Sequence, residues 1–159
     1  MKSLVLIRCP LMRRKRYFGV FKSRRKVLGK LFLDNVQESF TRNSTFIHSS
    51  SFSKAQAAAK VLCETYSIDD ERMLNVNPNL QDLDMEGCFQ LLRQTSNHID
   101  TVVLIAPGVT VSSLFAHLQG ERKIFASGSA EMVEFNLEDW ALVKSDTFDE
   151  SSIREVRTA

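Results

Sequence analysis

The sequence predicts an α/β domain: a three-layer α/β/α sandwich with a mostly parallel sheet and an antiparallel edge hairpin. Two observations lead to this prediction. Short apolar runs alternate along the chain with segments in which apolar residues recur every three or four positions. The last two apolar runs follow one another with only a short polar stretch between them. Alternating strands and helices form right-handed βαβ units, whose helices cover both faces of a sheet.

The predicted strands are short runs bounded by polar residues or by proline and glycine. The first run and the run at 101–105 are continuously apolar, as strands buried on both faces are. Strands are predicted at 2–8, 45–48, 101–105, 131–135 and 140–143, the last two forming a hairpin through 136–139.

The predicted helices carry apolar residues at helical spacing. They cover 22–40, 55–62, 84–93 and a segment that begins near 110. Ser51 or Ser53 is the natural N-cap of the second helix, and Thr110 of the last. Residues 75–79, which include Pro78, are predicted as a loop.

The length of 159 residues fits one domain at 1–145, followed by a polar tail at 146–159 that we expect to be frayed. The first apolar run is too short for a signal peptide or a membrane span. Cys9, Cys63 and Cys88 form no CxxC or Cys/His pattern, which argues against a disulfide framework and a zinc site. We therefore expect a cytoplasmic protein without metal, cofactor or membrane partner.

Charge is divided unevenly along the chain. Residues 1–33 contain eleven Lys/Arg and no Asp or Glu, whereas residues 34–159 carry a net charge of −9. The basic stretch 13–16 and the cations at 22–26 could bind an anionic ligand, lie against the acidic body or remain a solvated loop. Aromatic residues interleave this stretch, but one short basic loop in an acidic chain argues against a nucleic-acid partner.

Polar residues at three strand ends predict the position of a site. Ligands of open α/β sheets bind outside the carboxyl ends of the strands, where helix N-termini present free N–H groups. Arg8 and Cys9 end the first strand, and Ser49 ends the second, with Lys54 in the following helix. Pro107 follows the strand at 101–105. We expect Arg8, Lys54, the hydroxyls and the helix dipoles to converge on one anion.

Four segments, in this order, resemble the short SixA-like phosphohistidine phosphatases of the histidine phosphatase, or phosphoglycerate mutase-like, superfamily. That family opens with a strand ending Arg-His, where this chain has Arg8-Cys9. Its Ser-Ser-Pro-x-x-Arg-Ala motif resembles the segment 46–59, and its Val-Gly-His-Asn-Pro-Gly motif the segment 100–114. The segment 127–140 is similar to the family's closing hairpin. The resemblance implies a phosphoglycerate mutase-like fold.

The resemblance also implies that the family's catalytic histidines are replaced. Cys9 stands where the family has its nucleophilic histidine, and Pro107 where it has a second histidine that stabilises the transferred phosphoryl group. Lys54 stands at the family's second arginine and keeps the charge without the bidentate fork. Arg8 is retained.

These replacements lead to the expectation of a pseudo-phosphatase. Arg8, Lys54, Ser49 and Cys9 would bind phosphate, or a phosphorylated small molecule or protein, without turnover. Two alternatives stay open: a weakly active, divergent phosphatase, and an interaction domain that acts through its basic N-terminal loop. The sequence does not indicate the oligomeric state.

The remaining candidate nucleophile and bases have simpler interpretations. Cys9 could become a reactive thiolate beside Arg8, but a buried, inert cysteine is the interpretation we favour. His48 could line the pocket, yet a histidine at a strand end is more often packed and hydrogen-bonded. His98 and His117 have the spacing of surface or helix-end residues, and no serine pairs with them in a triad pattern.

Overall fold

A computed structural model describes residues 1–10, 33–34, 36–82 and 84–144 and the backbone of 153–157. The predicted helix at 22–40 and the basic stretches within 13–26 therefore lie almost entirely outside the described residues. Of that helix, the structure describes only its end, where a 3-10 turn covers Gln37–Ser39.

The centre of the domain is a six-stranded sheet in the order β3-β2-β4-β1-β5-β6. β1, β2, β3 and β4 run parallel, and β5 and β6 add an antiparallel edge. The strands are β1 (Lys2–Arg8), β2 (Thr45–Ser49), β3 (Leu74–Val76), β4 (Thr101–Ala106), β5 (Ala130–Phe135) and β6 (Ile153–Arg157).

Four α-helices connect these strands within the described residues. They are α1 (Ser53–Thr65), the single turn α2 (Asp70–Met73), α3 (Met85–Arg93) and α4 (Gly108–Gln119). Short 3-10 turns at Pro78–Gln81 and Trp140–Leu142 complete the connections. The three-layer, mostly parallel α/β fold that the alternating pattern predicts is confirmed. None of these helices combines the length and apolar character that crossing a membrane requires.

The two faces of the sheet explain the continuous apolar runs. Successive side chains of a strand point to opposite faces, so Leu4 and Leu6 of β1 join the core under α3 and α4. Val5 and Ile7 join the core under α1. Both faces of β1 and β4 are covered, and these two strands therefore need apolar residues at nearly every position.

The predicted strand at 140–143 is wrong. Trp140 is fully buried in a 3-10 turn, and its indole Nε1 donates a 2.7 Å hydrogen bond to the Ile99 carbonyl oxygen. Asp139 caps the turn by accepting from the Ala141 amide at 2.9 Å. The indole is buried in the core between the sheet and the layer of α3 and α4. This burial prevents the segment from pairing with β5.

The antiparallel partner of β5 is instead β6, within the tail that the sequence predicts as frayed. That prediction fails at Ile153–Arg157, whose three charged residues suit an edge strand. A further strand, β3, lies in part within the predicted loop at 75–79 and pairs with β2.

The predicted helix caps are also wrong. Phe52, with extended backbone, is the N-cap of α1, so Ser51 lies outside the helix and Ser53 is its first residue. Pro107 is the N-cap of α4, which places Thr110 inside the helix. The Thr110 hydroxyl lies 3.3 Å from the Leu80 carbonyl oxygen instead of capping its own helix.

A candidate anion-binding site

A pocket of about 390 Å³ lies at the carboxyl ends of β1 and β4. It is bordered by the first turns of α1 and α4, one from each helical layer. Its walls are Arg8, Cys9, Pro10, Phe52, Ser53, Lys54, Pro107 and Gly108. Arg8, Cys9, Lys54 and Pro107, which the sequence singles out from three separate segments, thus share one pocket.

Arg8 is held from three directions. Its amide donates a 3.0 Å hydrogen bond to the Ser129 carbonyl oxygen, at the end of β1. Its guanidinium donates to the Phe125 carbonyl oxygen. The side chain also crosses Gly108, where a Cβ atom would lie 3.0 Å from Arg8 Nε and 3.2 Å from Cζ. Gly108 therefore lets the guanidinium lie against the start of α4.

The segment that carries the Phe125 carbonyl is itself anchored. Lys123 forms an ion pair with Glu131, a buried carboxylate on β5. The Phe125 ring is buried edge-on against Phe115 of α4, with ring centroids 5.6 Å apart. The sequence does not indicate this support, because the support depends on a contact between Arg8 and a residue far along the chain.

Cys9 follows Arg8 and is half-buried. Burial raises the pKa of its thiol, while the positive charges of Lys54 and Arg8 lower it by less. The net pKa is above its ordinary value, so the thiol is protonated near neutral pH. Such a group is a poor nucleophile, because the thiolate is the reactive form.

Two helix N-termini open into the pocket. The first N–H groups of a helix have no acceptor within it, and the helix dipole places partial positive charge there. Ser53 and Lys54 belong to the first turn of α1, and Gly108 begins α4. Pro107 lines the pocket next to Gly108 and has no N–H to donate.

Ser49 does not line this pocket. It is fully buried, and its hydroxyl donates a 2.8 Å hydrogen bond to the Ser50 carbonyl oxygen. Strand alternation places Ser49 on the same face as Ile47, the face that α1 covers. The prediction that Ser49 shares the site is therefore corrected by the structure.

The three histidines lie away from the pocket walls. His48 is on the opposite face of β2 from Ser49, with its ring 4.8 Å from that of Phe46. The His98 Nδ1 is 2.7 Å from the Ser96 hydroxyl, and the His117 ring lies 5.5 Å from Phe89. No imidazole is therefore placed beside Arg8.

Comparison with solved structures identifies the architecture. The SixA protein of Nakamurella multipartitia superposes with a TM-score of 0.63 at 10% identity, over 98% of this chain and 95% of its own. A protein histidine phosphatase SixA complexed with tungstate gives 0.61 at 14%, over 98% and 96%. The chain has the histidine phosphatase fold.

A third neighbour with this fold is a mycobacterial glucosyl-3-phosphoglycerate phosphatase in complex with inorganic phosphate. It has a TM-score of 0.54 at 14% identity, and the superposition covers 100% of this chain and 96% of the neighbour. No family model matches the sequence. No curated protein sequence matches it either.

Proposed function

We propose that this protein binds phosphate-bearing ligands in the pocket beside Arg8 and does not hydrolyse them. The observation that carries the proposal is the convergence of Arg8 and Lys54 from two different layers on one pocket. A guanidinium can bind two phosphate oxygens at once, and an ammonium adds a second positive charge. The two helix N-termini contribute further N–H donors.

The fold neighbours support an anion as the ligand. One is complexed with tungstate and another with inorganic phosphate. Both are tetrahedral oxyanions of similar size. A pocket of about 390 Å³ also leaves room for the organic group to which a phosphate would be attached.

The residues beside Arg8 argue against turnover. Covalent phosphoryl transfer through the family's route requires an imidazole nitrogen in line with phosphorus. By the sequence resemblance, Cys9 stands at this position and Pro107 at that of the second imidazole. Both line the pocket, and the pKa of the Cys9 thiol is raised. Loss of a nucleophile or an oxyanion donor typically lowers the rate by factors on the order of 10² or more each.

Thermal unfolding with added anions tests the binding. Orthophosphate and vanadate should raise the melting temperature relative to chloride at equal ionic strength, because a ligand of the native state stabilises it. In Arg8→Met the rise should disappear, and in Lys54→Met phosphate affinity should fall by about tenfold. Lys60→Met, a change of the same kind at an exposed position of α1, is the matched control. An unaltered phosphate response in Arg8→Met would refute the proposed site.

A turnover assay separates this proposal from a divergent, weakly active phosphatase. We expect pure protein to release no phosphate from p-nitrophenyl phosphate above the buffer rate. Turnover that disappears in Cys9→Ala would favour the second function, because Cys9 follows Arg8 in the chain and lines the same pocket.

The third possibility assigns binding to the basic N-terminal segment. Replacing Arg13, Arg14, Lys15 and Arg16 by glutamine should leave orthophosphate stabilisation intact if the pocket is the binding site. Loss of that stabilisation would indicate that the basic segment, and not the pocket, binds phosphate. In either case we place the protein in the cytoplasm, in agreement with its three unpaired thiols.

A further inference from the structure

The two helices that border the pocket beside Arg8 begin without a side-chain cap. The other α-helices of the described chain, α2 and α3, begin at Asp69 and Asp84, and each aspartate accepts a hydrogen bond from an amide of its own helix. The N-caps of α1 and α4 are Phe52 and Pro107, whose side chains form no such bond. Helix starts favour polar caps. Both apolar caps line the pocket, where an aspartate would repel an anion.

Phe52 is exposed to an unusual degree for a phenylalanine of this domain. It is 48% exposed, whereas every other phenylalanine in the described part of the chain is buried or half-buried. It precedes Lys54 by two residues, so its ring and the ammonium lie on the same side of the pocket. An aromatic ring in contact with water gains free energy when a ligand covers it. The pocket therefore offers an apolar surface beside a cation.

The pocket wall is poor in groups that could bind the hydroxyls of a ligand. Arg8 and Lys54 are its cations, and among the described lining residues Ser53 carries the only hydroxyl. Pro10 and Pro107 have no N–H to donate. The described part of the wall contains no carboxylate and no side-chain amide. A sugar phosphate would bury hydroxyls there without partners, which costs free energy.

We propose that the pocket binds phosphate monoesters of an apolar aromatic ring, with the phosphate at Arg8 and Lys54 and the ring against Phe52. The inference rests on the phosphate binding proposed above and adds the chemistry of the group that the phosphate carries. Two aromatic rings pack in offset or edge-to-face geometry, and this contact adds to the gain from burying apolar surface. A phosphotyrosine side chain and a free aryl phosphate share this chemistry.

The affinities of three phosphate monoesters test the proposal. Phenyl phosphate, methyl phosphate and glycerol 3-phosphate are all dianions at pH 8, so they differ mainly in the group attached to the phosphate. Isothermal titration calorimetry of the full chain should show phenyl phosphate binding about tenfold more tightly than the other two. Phenol should not bind detectably, because it lacks the phosphate.

Substitutions of Phe52 identify the surface that selects the ring. In Phe52→Ala the preference for phenyl phosphate over methyl phosphate should disappear, while the affinity for orthophosphate stays unchanged. Phe52→Tyr keeps an aromatic ring and should retain the preference. Leu142→Ala removes an apolar side chain that is 58% exposed and lies outside the pocket wall, so it is the control.

A peptide distinguishes the two sources of an aryl phosphate. Val109 and Ile124 are 81% and 91% exposed. They adjoin in sequence Gly108 of the pocket wall and Phe125, whose carbonyl oxygen accepts from the guanidinium. If the ligand is a protein, a phosphotyrosine peptide flanked by leucines should bind more tightly than phenyl phosphate and lose this excess in Ile124→Asn. Equal affinities of peptide and phenyl phosphate would assign the pocket to free aryl phosphates.

Two results would overturn the proposal: equal affinities of phenyl and methyl phosphate, or an undiminished preference for the phenyl ester in Phe52→Ala. If orthophosphate still stabilises the protein in either case, phosphate binding at Arg8 stands and only the selection of an aromatic ring is refuted. If no phosphate compound binds, phosphate binding in this pocket is refuted as well.

Discussion

At the scale of single residues, neighbouring charges and burial act in opposite directions at Cys9. Lys54 and Arg8 favour the thiolate, but desolvation has the larger effect and the pKa of the thiol is raised. An adjacent arginine therefore does not make a cysteine reactive unless water also reaches the sulfur.

The reactivity of Cys9 can be measured directly. Iodoacetamide should alkylate the native protein near pH 7 more slowly than it alkylates glutathione, because a raised pKa lowers the thiolate fraction. Burial also raises the pKa of Cys63 and Cys88 to about 11, so these thiols should react more slowly still. Lys54→Met should slow Cys9 further, since it removes a charge that lowers the pKa; faster alkylation in this variant would contradict the electrostatic account.

His48 predicts a pH dependence of stability. Its pKa is 6.5 ordinarily and about 4 in the folded chain, so below pH 6.5 the unfolded chain takes up a proton that the folded chain does not. This difference leaves the free energy of unfolding unchanged above pH 6.5. It lowers that free energy as the pH falls toward 4, by about 3 kcal/mol in total. Urea unfolding across this pH range should show a smaller loss of stability in His48→Phe than in the wild type. Parallel curves of unfolding free energy against pH for the two proteins would contradict this role of His48.

At the scale of elements, the first turn of α4 determines where the Arg8 side chain lies. The guanidinium packs against Gly108 and donates to the Phe125 carbonyl oxygen. The position of this cation therefore depends on a helix and on the segment before β5, both distant from it in sequence.

Gly108→Ala tests this packing. The new Cβ would lie 3.0 Å from Arg8 Nε, so the side chain must move by a few tenths of an ångström. We expect orthophosphate affinity to fall severalfold while the melting temperature without ligand changes little. Val109→Ala, in the same turn but 81% exposed, is the matched control. Equal phosphate affinities for both variants would show that the arginine tolerates the added methyl group.

At the scale of the whole molecule, β1 lies in the interior of the sheet and joins its parallel and antiparallel parts. It pairs parallel with β4 and antiparallel with β5. The pocket at the end of β1 is thus anchored on both sides. The edge strand β6 protects the outer side of β5, whose exposed backbone would otherwise be open to pairing with another chain.

Proline at position 156 tests the contribution of β6. Val156 pairs with Val133, and proline there removes a backbone donor. We expect Val156→Pro to lower the melting temperature and to promote association in light scattering, whereas Val156→Thr, which retains the donor and the strand propensity, should do neither. Stabilisation by orthophosphate should persist in both. Unchanged melting and association in Val156→Pro would mean that β6 adds nothing to the sheet.

Much of the fold follows from local pattern. The continuous apolar runs of β1 and β4 require strands buried on two faces, and the spacing of apolar residues in α3 requires a helix with one buried side. Local pattern predicts the wrong element at 140–143, because an apolar run of four residues suits a strand or a buried turn equally. The docking of Trp140 on the Ile99 carbonyl oxygen decides between them.

The sequence by itself determined the strands β1, β2, β4 and β5, the helices α1, α3 and α4, and the charges at Arg8 and Lys54, because periodicity and side-chain chemistry are local properties. Only the tertiary structure decided that Ser49 is covered by α1, that Gly108 supports the guanidinium, and that His48 is buried beside Phe46 on the other face of β2. The physical reason is that burial and convergence depend on how layers pack. A residue's own neighbours in sequence do not specify which element will cover it.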